Sequence, residues 1–161
     1  MVDILHQPGF LGTSANFAAD MTLVVSLAVA GLFTIGFALA RARHYGPHRW
    51  IQTTAAALNA LLVGWMMILP FRDFVLPGLP SRLGERFYAF TALHGMIGLS
   101  ALIFGVFVAL RGNELVPSAW KFRNYKGFMR ASYALYMLAT LLGVLVYFTW
   151  FVGNPNPPTY S

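Results

Sequence analysis

The sequence predicts an all-α integral membrane protein: four transmembrane helices in an antiparallel, up-down-up-down bundle that forms a single membrane domain over residues 1–161. Three observations predict it. Of the 161 residues, 58% are hydrophobic and 10% are charged, and the mean hydropathy is +0.63. Soluble domains carry about 25% charged residues, so the chain lacks the polar surface of a water-facing globule, which excludes a soluble enzyme. Four apolar stretches each approach the roughly 20 residues needed to cross about 30 Å of hydrocarbon. The stretches are continuous and do not alternate, which argues against a β-barrel, and the connections between them are short enough to force antiparallel neighbours.

In chain order the stretches cover about Met21–Ala40, Trp50–Leu69, Phe87–Leu110 and Phe128–Val152. Asp20 is the expected N-cap of the first, and Arg41 and Arg43 bound its end. No basic segment precedes it and no small-residue cleavage site follows, so the expectation is an anchor and not a removable signal peptide. Gly46-Pro47 ends the first connection, Pro70 closes the second helix, and Pro77-Gly78-Leu79-Pro80 stiffens the second loop. The tail, residues 153–161 with Asn154-Pro155-Asn156-Pro157-Pro158, reads as a polyproline-prone segment, either solvated or strapped onto a partner.

Basic residues set the expected orientation. Arg41, Arg43, Arg49, Arg111, Lys121, Arg123, Lys126 and Arg130 fall on one side of the predicted membrane, against Arg72, Arg82 and Arg86 on the other. Eight against three predicts a multi-pass protein of the cell's inner (plasma) membrane with both termini periplasmic or extracellular. The same asymmetry accounts for the net charge of +6. It makes anionic lipid headgroups, and not nucleic acid, the partners of the basic cluster interleaved with Trp120, Phe122 and Tyr125.

The absence of cysteine excludes disulfides, thiolate chemistry and cysteine-held metal. His94 is the foremost candidate for function, because an ionisable group in the hydrocarbon is costly and this one is expected to lie about 10 Å deep. Gly98, Ala101, Gly105 and Ala109 follow it on one face and allow a helix or a flat macrocycle to come close. Two readings stay open for His94: a neutral imidazole hydrogen-bonded to a neighbouring helix, or a ligand for haem iron. A second imidazole at its depth is absent from the facing helices. His44 and His48 lie at the opposite surface, roughly 20 Å away, and His6 lies in the outer N-terminal segment. Met66 or Met67 is the available thioether partner, or simple filler.

The fourth helix lines up Tyr133, Tyr136, Thr140, Gly143, Tyr147 and Trp150 at steps of three or four. Tyr147 and Trp150 suit an interfacial aromatic belt. Tyr133, Tyr136 and Thr140 would hydrogen-bond inside the bundle or, with Tyr136 foremost, touch a quinone or pigment. Asn59, at mid-helix, is expected to make an interhelical hydrogen bond. No phosphate loop, paired intramembrane carboxylates or serine–histidine–acid set is visible, so no catalytic activity of its own is expected.

Three segments carry a family resemblance. His48-Arg49 opens the second helix like the family's "HR", and Leu93-His94 stands early in the third like its "iH". Asn124-Tyr125-Lys126-Gly127-Phe128-Met129-Arg130, leading to Gly143-Val144-Leu145-Val146-Tyr147, is similar to "HRKIAR…tGvvvY". From about Ala40 to Val152 the chain thus resembles the CtaM-like small four-helix membrane proteins, a domain-of-unknown-function family linked to cytochrome oxidase assembly. The resemblance implies a non-catalytic accessory or assembly subunit of a membrane electron-transfer complex, respiratory or photosynthetic, packed against larger subunits. The rival reading is a haem b- or quinone-binding electron carrier that uses His94, with bound lipid or pigment a further possibility at a partner interface. One departure matters: Asn124 stands where the family pattern has histidine, and an amide cannot replace imidazole as a strong ligand.

Overall fold

A computed structural model describes residues 5–154 and 156. The chain is 78% helical with no strand among the described residues. Four helices are long and apolar enough to cross a membrane. We label them α1 (Phe17–Arg41), α2 (Tyr45–Leu62 and its continuation), α3 (Arg86–Gly112) and α4 (Tyr125–Phe151).

Helix α1 begins earlier than the sequence suggests, and Asp20 is not its cap. Asn16 is the N-cap, its Oδ1 accepting from the Ala19 N–H at 2.9 Å. The loop before it folds back over the helix start through Gly9 N–H to Ala15 O at 2.9 Å and Phe17 N–H to Gln7 O at 2.8 Å. Asp20 therefore lies beneath that loop, fully buried, as a tertiary acceptor.

Pro70 does not close the second helix. The chain runs on through a π turn (Val63–Met67), one α turn (Ile68–Pro70), a second π turn (Phe71–Val75) and a 3-10 turn (Leu76–Gly78). Proline removes one N–H and crowds the carbonyl four residues back. Widening the helix on either side relieves that crowding: the Ile68 and Leu76 N–H groups bond carbonyls five residues back, on Val63 and Phe71. The helix starts at Tyr45, ahead of the expected Trp50, and Pro47 fits its first turn because N–H groups there have no intrahelical acceptor.

The helices form a ring in which α1 meets α2, α2 meets α3, α3 meets α4, and α4 returns to α1. The pairs α1/α2 and α3/α4 pack most extensively. One core cluster joins Ala15, Val75, Tyr88, Tyr147, Trp150 and Phe151, and a second joins Val29, Ala30, Ala55, Ala101, Tyr136 and Ala139. We refer to the first as the Trp150 end of the molecule. Tyr147 and Trp150 are thus core residues, 7% and 5% exposed, and not members of an outward belt. Each turns inward because a polar partner waits there: Tyr147 O–H donates to Asp20 Oδ1 at 2.6 Å, and Trp150 Nε1–H to Thr91 Oγ1 at 3.0 Å.

At the opposite end, His48 Nδ1–H donates to Gly36 O at 2.7 Å and pins α2 to α1. Arg111 sits over the Tyr125 and Phe122 rings at 4.4 and 5.2 Å and donates to Phe122 O. The two ion pairs among the described residues, Arg72–Asp73 and Arg82–Glu85, involve none of the eight clustered basic residues. The proline-rich strap falls largely outside the described residues.

Candidate functional site

The looser packing between the two helix pairs leaves a cavity of about 1340 Å³. Its mouth is flanked by Trp65 and Ile68 of α2 and by Met96 and Leu99 of α3, which are 68%, 55%, 67% and 58% exposed. It therefore opens sideways, between α2 and α3. Residues lining it along α4 run from Tyr136 to Phe151, a rise of about 22 Å at 1.5 Å per residue. The space is long, mostly apolar, and larger than the roughly 300–1,000 Å³ of ordinary small-molecule sites.

His94 lines this cavity from α3. Its Nδ1 lies 3.0 Å from the Ala139 carbonyl of α4. A carbonyl only accepts, so Nδ1 carries the proton. The ring fits because residue 143 is glycine: a Cβ there would stand 3.1 Å from His94 Cε1. Ala139 and Gly143, one helical turn apart, thus form an acceptor and a notch for a single imidazole. Nε2 has no partner among the described residues. The ring thus bonds a neighbouring helix through one nitrogen, as one of the two readings of His94 expects.

Asn59 lines the same cavity from α2 and is only 8% exposed. The expected interhelical hydrogen bond is absent: among the described residues its side-chain amide has no partner. The reason is spatial, because the facing surface at this level is cavity and not a packed helix. Neighbouring hydroxyls are already engaged. Thr22 donates to Ala18 O, Ser26 to Leu23 O and Thr140 to Tyr136 O, all within their own helices. Tyr136 O–H reaches Ser26 O at 3.4 Å and Tyr133 meets Thr34 Oγ1 at 3.0 Å.

Met66 and Met67 also line the cavity, in and beside the first π turn. So does His6, which the sequence places apart in the N-terminal segment; the loop that folds over α1 carries it to the cavity. No group of three or more His, Asp or Glu able to hold a metal ion occurs among the described residues. His48 is held at the other end by Gly36 O, and Asn124 stands exposed at the start of α4 without a side-chain capping bond. Neither reaches this site. Asp20 was the residue whose weight the sequence hid: its Oδ2 accepts from Leu11 N–H at 2.7 Å, and Tyr147, which it also binds, meets Thr13 Oγ1 at 2.7 Å. The signal for it is an acidic residue on the same apolar helix as Val29 and Ala30. No family model, curated protein or solved structure matches the chain.

Proposed function

We propose that this chain is a non-catalytic accessory or assembly subunit of a membrane electron-transfer complex, respiratory or photosynthetic, that packs against larger subunits. The observation supporting this reading is the cavity inside the helical ring, which large, exposed side chains of α2 and α3 line where it reaches the surface. In lipid, apolar faces gain little by leaving the bilayer, so helices associate through close packing and polar contacts. An open flank with a free amide and a free imidazole nitrogen supplies both. The resemblance to the CtaM-like proteins favours a redox complex as the partner. In this reading the bundle is antiparallel and sits in the inner membrane with the eight-residue basic side cytoplasmic and both termini outside. Native gels after mild detergent extraction test the role: comigration with a larger redox assembly is expected, and a stable isolated monomer in native membranes would overturn it. Phosphatase fusions after Ser161 should be active; bright cytoplasmic green fluorescence from the same position would reverse the topology.

The second reading, a membrane electron carrier, is favoured by one observation, the His94 Nε2 left open in a cavity that Met66 and Met67 also line. A Soret band in the purified protein that shifts on reduction would support haem ligation there.

A further inference from the structure

We propose that the cavity between the two helix pairs is a binding site for the ring of a quinol-type lipid, a hydroxylated ring with an apolar tail, and that it selects the reduced over the oxidised ring. The inference rests on the ligand-binding reading of His94 and is independent of which complex the chain joins.

Ligand chemistry follows from two polar groups of the cavity wall that keep hydrogen-bonding capacity unused among the described residues. His94 donates from Nδ1 to Ala139 O, and a charged imidazole is costly in hydrocarbon. Its Nε2 is therefore a bare acceptor, and whatever binds it must donate a hydrogen bond. The Asn59 amide, 8% exposed and without a partner among the described residues, offers one acceptor oxygen and two donors. A ring bearing hydroxyl groups satisfies both. An oxidised quinone has only acceptor oxygens and would set a lone pair against Nε2, so the reduced form is preferred. The apolar length of the cavity accepts a chain, and the sideways mouth past Trp65 and Met96 opens where a lipid-soluble molecule would arrive. The remaining polar side chains of the wall at this depth are bonded to backbone carbonyls, which leaves His94 and Asn59 as the anchors.

The full chain in mild detergent, titrated calorimetrically with decylubiquinol kept reduced by dithionite and separately with decylubiquinone, tests this. Reduced ligand is expected to bind at least about tenfold more tightly. Loss of a buried hydrogen-bonding partner commonly costs about a factor of ten, so Asn59→Leu and His94→Leu should each weaken the reduced ligand by that much. Should either variant fold poorly, Gly98→Leu provides a second route. Gly98 lines the cavity and a Cβ there meets nothing within 4 Å, so the larger side chain fills the ligand space without displacing protein and should abolish binding. A parallel titration with a reduced naphthoquinone analogue distinguishes the ring type. Equal binding of reduced and oxidised rings, or unchanged binding in Gly98→Leu and Asn59→Leu, would overturn the proposal. So would a stoichiometric Soret band lost in His94→Leu, because Nε2 would then belong to iron.

Discussion

Asp20 and His94 are both ionisable side chains set into apolar helices, and their surroundings differ in one respect. Both oxygens of Asp20 are engaged, by Leu11 N–H and Tyr147 O–H, under a folded-back loop. His94 uses one nitrogen on Ala139 O and keeps the other open to a cavity, across which the Asn59 amide is also free. A polar group whose capacity is used up within the fold is holding structure together. One left with spare capacity in a roomy apolar site is available for something the chain does not contain. Asp20 at the Trp150 end and His94 in the cavity wall are thus a closed and an open version of the same device, a polar side chain set into an apolar helix.

Removing the saturated group should produce the largest effect. Asp20→Leu takes the acceptor from both the Leu11 N–H and the Tyr147 O–H, leaving the latter with Thr13 Oγ1 alone, and two lost hydrogen bonds at about 1–1.5 kcal/mol each come to about 2–3 kcal/mol. Thermal unfolding in detergent should show it as a pronounced fall in Tm, with the loop around Thr13 and Ser14 becoming open to protease, since Ser14 also ties that loop to Phe151 O at 2.6 Å. If Asp20→Leu unfolds like the parent protein, the distinction between the two polar groups collapses.

Glycine substitutions carry the same comparison into packing. At the closed end, a Cβ on Gly78 would collide with the Tyr88 ring, itself 7% exposed. Gly78→Ala should cost about 1–3 kcal/mol, the range for overpacking a filled core. In the open cavity Gly98→Ala meets nothing, and exchanging a helical glycine for alanine should stabilise by up to about 1 kcal/mol. Opposite signs for the two changes in one melting series are expected; a loss of stability at Gly98 would mean that the cavity is packed.

Gly143→Ala tests the link between the two. The new Cβ crowds His94 Cε1 at 3.1 Å, while the helix gains propensity, so the net change in stability should stay within about 1 kcal/mol. Ring position should suffer more than stability, seen as altered His94 imidazole resonances by NMR with Tm nearly unchanged. Unmoved resonances would show that the notch does not set the ring.

The four long apolar helices were legible from composition and length, because continuous apolar runs are long-range signals that no single contact overrides. Their ends were not. Pro70 reads as a stop in any local view, yet two wide turns carry α2 past it. Trp150 and Tyr147 have the chemistry of a belt and were drawn inward by Thr91 and Asp20, residues 59 and 127 positions away. His94 could be singled out from cost alone, and its neighbour Gly143 appeared on the expected face of α4. That Asn59 would be left without a partner depends on how far apart two helix pairs settle, which periodicity does not encode.

The smallest expected effect lies outside the four long helices, in the loop that buttresses the closed end. Glu85 accepts from Arg82 Nε–H at 2.7 Å and Nη2–H at 2.9 Å, while Arg82 also donates to Tyr88 O–H at 2.8 Å and lies 4.5 Å from its ring centre. Tyr88 in turn fills the space beside Gly78, so the pair steadies a core residue from the surface. The hydrogen bond from Arg82 holds the Glu85 carboxyl below its ordinary value of 4.5. A depressed folded-state value means that the contribution is fully present above pH 4.5 and is lost as the pH falls through the lower folded value. Both side chains are about half exposed, 53% and 50%, so water and salt screen the interaction. Glu85→Gln should therefore lower Tm only slightly at neutral pH and low salt, by less than Asp20→Leu or Gly78→Ala. The difference from the parent protein should shrink towards zero on acidification below 4.5 and again in molar salt. A difference that persisted undiminished at pH 3 would show that Glu85 acts through its shape and not its charge, and that the closed end owes nothing to the ion pair at its rim.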